Sequence, residues 1–184
     1  MNDSTTSPNA AQSQNIAESR DALRLVVHGS AVLIIALIAG LMLTFSMAGG
    51  WIVWPFLDIP ADIIGSVRGW KAAHVGGLTN GIMLLVFAAL IAKIPMTAKA
   101  RSLSSWCFVL TGWGNTSFYW AGNLAANRGV SFHGNAYGET SLAGKIAFLS
   151  GGSVMLLTIL GAFLVMSAGY ACLKNQGRES VQAG

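Results

Sequence analysis

Two stretches of this chain carry polar side chains where an apolar segment has no need of them. One reads Thr111-Gly112-Trp113-Gly114-Asn115, then Phe118-Tyr119 and Asn123, and ends at Asn127-Arg128-Gly129. The other holds a lone imidazole, His74, with Asn80 six residues on. A carboxamide or phenol without a partner in an apolar medium is costly. Such groups must therefore aim at one another, at water or at a ligand. Amides and a phenol can orient an oxygen and hold a developing alkoxide. They can also do no more than join helices.

Spacing narrows the choice. At 3.6 residues per turn, Thr111, Asn115 and Tyr119 fall within about 80° of arc on one helix face. Trp106, Trp113 and Trp120 repeat at seven residues on roughly the opposite face, which reads as packing or lipid contact. At 1.5 Å per residue, Asn80 lies about 12 Å into its helix, Asn115 about 15 Å and Tyr119 about 9 Å, counted from the same end. The three are expected at matching depth. Six residues set His74 about 120° from Asn80 around the helix. That helix offers an imidazole to one neighbour and an amide to another.

A neutral imidazole in an apolar helix suits metal ligation, haem iron included, although a structural hydrogen bond is the commoner use. His28 belongs near the inner end of the first helix, separated from His74 by a span approaching the roughly 30 Å of the hydrocarbon. His133 lies in an outer loop from which it could reach His74. The chain has no CxxCH, so a haem would be held non-covalently. Gly77 and Gly81, four apart, let a helix or a flat ligand come close.

These residues sit in a strongly apolar frame. Of 184 residues 53% are hydrophobic and only 10% charged, with a mean hydropathy of +0.57; soluble domains carry about 25% charged residues. Four runs approach the roughly 20 residues that span a membrane: Leu25–Met47, Ala72–Pro95, Leu103–Ala125 and Leu142–Leu173. The expected fold is all-α, an integral membrane four-helix bundle over residues 25–173. The polar stretch 1–24 reads as a disordered tail without a secretory signal, and 174–184 as a second tail. Trp51–Lys71, with its tryptophans and prolines, reads as a short interfacial helix or structured cap. The Gly- and Asn-rich segment from Asn127 to Gly138 reads as a loop suited to capping a pocket.

Seven Lys and Arg flank the spans on the side of the termini against four on the other. This bias expects both termini in the cytoplasm. The pI near 9.4 fits flanking charges facing anionic lipid, and no basic stripe points to nucleic acid. Cys107 and Cys172 stand singly in apolar segments, which reads as packing.

The motifs Gly69-Trp70-x-x-Ala73-His74-x-Gly76 with Asn80-Gly81, Gly112-Trp113-x-Asn115-x-x-Phe118-Tyr119-x-x-x-Asn123, and Asn127-Arg128-Gly129-x-x-Phe132-x-x-Asn135-x-x-Gly138, together with His28-Gly29, resemble those of the styrene oxide isomerases. The resemblance implies a homotrimeric, multi-pass enzyme of the bacterial inner membrane that converts a small apolar aryl epoxide to an aldehyde. It implies ferric haem b between adjacent subunits, ligated by His74, with Asn80 and Tyr119 in the active site. Asn115 reads as their partner, and Gly77 and Gly81 as places where the cofactor comes close. Thr111 departs from the family, whose well-known members carry Asp before the Gly-Trp pair. On this expectation a carboxylate beside the pocket is replaced by a neutral hydroxyl. Two other classes fit the bare residues: an electron-transfer b-type cytochrome with His133 as second ligand, and a non-catalytic transporter or scaffold whose amides join helices.

Overall fold

The computed structural model describes the backbone of residues 8–182 and the side chains of residues 20–178. The described residues form four helices: α1 (Pro8–Ala48), α2 (Val67–Ile91), α3 (Ala98–Asn123) and α4 (Leu142–Gln182). α1 and α4 run well into the stretches expected to be tails. Asp21 is buried, and its Oδ1 accepts from Arg24 at 2.8 Å. Its Oδ2 faces the 1% exposed Arg101 at 3.5 Å, and its carbonyl accepts from Ser105 Oγ at 3.3 Å. Burial of charge needs such pairing, so the N-terminal boundary of the ordered bundle lies before residue 25. Residues 1–7 lie outside the described ones.

Capping sets two helix starts. Ser66 has extended backbone and its Oγ accepts from Gly69 N at 3.0 Å, which opens α2. Thr97 does the same for Ala100 N at 3.2 Å and opens α3. Between α1 and α2 the chain forms a hairpin, a structured cap in place of the short interfacial helix that was the other expectation. β1 (Gly50–Val53) pairs antiparallel with β2 (Leu57–Pro60), in the register Gly50↔Pro60 to Val53↔Leu57. Its residues include the β-branched and aromatic types that favour strands.

Among the described residues three helical stretches are long and apolar enough to cross a membrane: Arg20–Ala48, Val67–Ile91 and Leu142–Arg178. α3, expected as a fourth, falls short in hydropathy, because Arg101, Ser104, Ser105, Thr111 and Thr116 interrupt it. All five are buried inside the bundle, while Leu103, Trp106 and Leu110 face outward. These five polar side chains are thus turned into the bundle, as an apolar surrounding requires. Large aliphatic side chains stand exposed along α1, α2 and α4, the surface of a protein that rests in lipid.

Small residues bring the helices together. Gly81 of α2 lies against Leu33 and the Gly29 carbonyl of α1, and Gly77 lies against Ala36. α3 meets α4 through Ser104 Oγ, which donates to Gly161 O at 3.1 Å, and through Gly114 against Val154. Phe87 and Phe108 stack at 3.6 Å between α2 and α3.

Candidate functional site

α2 and α3 run antiparallel, and their facing residues form a ladder. Asn115 Nδ2 donates to Asn80 Oδ1 at 2.9 Å, and Asn80 Nδ2 donates to Gly76 O at 2.7 Å. One turn along α3, the Tyr119 ring packs directly on Gly76, where any Cβ would collide with it. Another turn on, Asn123 fills the space over Gly69, and its Oδ1 accepts from Ser66 N at 2.9 Å and Ser66 Oγ at 3.1 Å. Residues 115, 119 and 123 on α3 therefore oppose 80, 76 and 69 on α2. The depth matching expected of Asn80, Asn115 and Tyr119 holds.

Tyr119 opens on a cavity of about 340 Å³ between the start of α2, the end of α3 and the loop that follows it. The volume suits a small ligand. Ser66, Gly69, Ala72, Phe118, Asn123 and Val130 are among its walls. The Tyr119 hydroxyl meets no hydrogen-bond partner among the described residues, so it remains available to a ligand oxygen. Asn123 Nδ2 is buried and also meets no acceptor among them. Asn80 lies behind this wall, 7% exposed and engaged at both ends of its amide. Within one chain it aligns the ladder and does not line the cavity.

The loop is built by the residues that its composition singled out. Asn127 is fully buried; its Nδ2 donates to Ser131 O (3.0 Å) and His133 O (3.1 Å), and its Oδ1 accepts from Gly129 N (3.1 Å). Asn135 Nδ2 donates to Asn127 O at 3.0 Å. Arg128 and Gly129 both take positive φ, 57° and 66°, and Gly129 packs on Ala147 of α4 too closely for a Cβ. This fold brings Arg128 and Val130 to the cavity, so the segment does cap a pocket.

His74 is turned to another neighbour. Its Nδ1 lies 2.8 Å from Ala36 O of α1, and its ring lies over Gly40, where a Cβ would sit 2.7 Å from Nδ1 and 2.8 Å from Cε1. A carbonyl only accepts, so the proton is on Nδ1 and the Nε2 lone pair is left open. A ring fixed by its other nitrogen is the usual setting of a ligating histidine. The lone imidazole has no helpers: no cluster of three or more His, Cys, Asp or Glu exists among the described residues. A bare metal ion would lack ligands here. A group that brings its own equatorial ligands, as a haem does, would need only this one.

Four other expectations are placed as follows. Thr111 is 1% exposed and faces α4: its Oγ1 donates to Cys107 O at 2.8 Å and lies 2.9 Å from Thr158 Oγ1. It does not join Asn80, Asn115 and Tyr119. Gly77 and Gly81 are taken up by packing on α1, which accounts for them without a ligand. His28 Nδ1 accepts from Trp113 Nε1 at 3.1 Å. His74 meets α1 at Gly40, 12 residues from His28, or about 18 Å along the helix. The separation is shorter than expected, yet the two imidazoles still belong to different places. His133 is exposed in the loop against Phe132, and no contact links it to His74.

The tryptophan stripe does pack. Trp113 bonds His28, Trp120 meets Trp70 edge-on at 5.1 Å, and Trp106 carries the Arg24 guanidinium at 4.4 Å. Gly40 and Ser66 were not foreseen as parts of the site. The sequence signal for Ser66 was its capping position before Gly69. For Gly40 there was none, since only the contact reveals it.

A family model described as styrene oxide isomerase matches residues 21–170. A styrene-oxide isomerase of Pseudomonas fluorescens is 28% identical over 154 residues, covering 84% of this chain and 89% of that protein.

Proposed function

This chain belongs to the styrene oxide isomerase family, and we propose that it is a membrane isomerase converting styrene oxide and related aryl epoxides to aldehydes. The observation that supports this most directly is the Tyr119 hydroxyl, uncommitted at the wall of an apolar cavity and aligned by the Asn115–Asn80 bond. In the reaction the benzylic C–O bond breaks, a hydride moves from the terminal carbon to the benzylic one, and the C=O forms. Electrons balance within the molecule, so no co-substrate is needed.

His74 Nε2 fits as the single protein ligand of a haem b, which when bound would supply a ferric Lewis acid toward an epoxide oxygen. The chain's own groups do the rest. Tyr119 donates a hydrogen bond to the oxygen as it gains negative charge; one such donor is worth about 100- to 1000-fold in turnover. Asn80 and Asn115 hold α2 and α3 so that the phenol stays in place. Gly69, Ala72, Phe118 and Val130 supply the apolar part of the lining, the part suited to keeping water from the benzylic cation, which water would capture as a diol. Phe118 offers a ring face near that charge.

α2 directs His74 toward α1 and Asn80 toward α3, so one chain does not bring the imidazole to the cavity. We read this as a site shared between adjacent copies of a homotrimer in the bacterial inner membrane, with both termini cytoplasmic. The exposed apolar faces of the helices leave room for both lipid and copies of the chain. An electron-transfer cytochrome would need a second axial ligand; His28 is committed to Trp113 and His133 faces outward.

The test is gas chromatography of products after styrene oxide is added to membranes containing the protein, together with an absorption spectrum of the purified protein. Phenylacetaldehyde and a Soret band that shifts with epoxide are expected. Diol, or unchanged epoxide over a fully folded sample, would end this reading.

A further inference from the structure

The Tyr119 cavity has an aromatic wall whose position is set from behind by a glycine. We propose that Phe118 fixes the size of the aryl group the cavity admits, and that Gly151 of α4 fixes how far the Phe118 ring stands into it; the inference rests on the isomerase reading above. Phe118 lines the cavity beside Tyr119, the two rings 5.4 Å apart and steeply inclined at 63°. The back of the Phe118 ring rests on Gly151, where a Cβ would lie 2.8 Å from Cδ2 and 3.0 Å from Cγ. A methyl there is too close for the ring to stay where it is. Of the two partners the ring is free to yield, and it can move only away from α4, toward the cavity and α2. The wall is therefore adjustable from two directions with opposite results.

An apolar ring beside a phenol suits one ligand chemistry: a planar aryl group carrying an oxygen one or two atoms away. The ring orders the aryl plane, and the phenol reaches the oxygen.

The test compares kcat/KM for a naphthyl epoxide with that for styrene oxide, in wild type, Phe118→Leu and Gly151→Ala. Phe118→Leu should raise the naphthyl-to-phenyl ratio about tenfold, and Gly151→Ala should lower it by a similar factor, the low end of what one methylene is worth in an apolar pocket. A merely structural role would depress both substrates together and leave the ratio alone. An unchanged ratio in Phe118→Leu, or shifts of the same sign in both variants, overturns the proposal. Phe118→Leu removes volume and decides the matter alone if Gly151→Ala does not accumulate. Equilibrium binding of phenylacetaldehyde and naphthylacetaldehyde to the purified variants gives a readout independent of turnover. Wild type that converts no epoxide, with aldehyde preferences that still shift in opposite directions, would sink the isomerase reading and uphold this one. Wild type that converts styrene oxide, with preferences that do not shift, would do the reverse.

Discussion

Gly40→Ala tests the proposed role of His74 without touching the imidazole itself. The added methyl carbon would sit 2.7 Å from Nδ1 and 2.8 Å from Cε1, whereas carbon-range contacts are comfortable at about 3.5–4.0 Å. The ring must retreat by about 1 Å. It then loses its 2.8 Å bond to Ala36 O, worth about 0.5–1.5 kcal/mol, or α1 and α2 must part at the overpacking cost of about 1–3 kcal/mol. Either way the Nε2 lone pair is re-aimed, and loss of such an orienting contact costs a metal site about 10- to 100-fold in affinity. The assay is titration of haem-depleted protein with haem, followed at the Soret band, alongside a thermal melt. Gly81→Ala is the control: it crowds the same helix pair away from Ala36, with a Cβ 2.6 Å from the Leu33 Cδ2. It should lower stability by a similar amount and leave haem affinity alone. If the two variants lower haem affinity equally, or Gly40→Ala leaves it at the wild-type value, the orienting role of the Ala36 bond is wrong.

Tyr119→Phe should keep stability and haem content and reduce turnover of styrene oxide by about 100-fold or more; turnover within twofold of wild type would return Tyr119 to packing. Asn115→Leu strips the donor from a buried Asn80 oxygen, so it should cost about 1–3 kcal/mol in a denaturation experiment and slow turnover through misalignment of Tyr119. A variant as stable as wild type would show that the amide pair is dispensable. Thr111→Val removes the bonds to Cys107 and Thr158, and should lower stability by about 1 kcal/mol with kcat for styrene oxide unchanged. Loss of kcat in the fully folded variant would put Thr111 back in the site.

The frame was legible because its signal is redundant: a run such as Val32–Leu43 has no other stable use than a buried or lipid-facing helix. The Asn80–Asn115 pair was legible too, because depth along two antiparallel helices depends only on rise per residue and the ends of the spans. What the sequence hid is rotation. Thr111 and Asn115 differ by about 40° around α3, little on a helical wheel, yet enough for one to bond α4 and the other α2. A wheel carries no information about where the neighbours stand. The hairpin was hidden for a related reason: Trp51 and Trp54 read as interfacial whether the backbone is extended or helical, so the tryptophans masked the strand signal. Gly40 and Gly151 were invisible because a glycine announces a close approach without naming what approaches. The order of the bundle before residue 25 was hidden because the polar composition of 1–24 does not show that Asp21 is buried between Arg24 and Arg101.

The division of chemistry on α2 leads to an experiment that no single-chain site survives. His74 engages α1, while Asn80 bonds Asn115 and Tyr119 packs on Gly76 across α2 and α3; on the proposed shared site, a working centre that uses both combines two copies. In a cyclic assembly every boundary is heterologous, one copy giving its imidazole and the next its cavity. Suppose His74→Ala and Tyr119→Phe chains are co-expressed in equal amounts and mix at random. A boundary is intact when its imidazole comes from a Tyr119→Phe chain and its cavity from a His74→Ala chain. Half times half gives about one boundary in four restored, whatever the number of copies in the ring. Each variant alone should be nearly inactive on styrene oxide, and the mixture should recover about a quarter of wild-type turnover. A site contained within one chain predicts no recovery at all, because every chain in the mixture is defective. Recovery absent from mixed assemblies, verified by purification through a tag on one variant, would refute the shared boundary and return His74 and Tyr119 to a site within one chain.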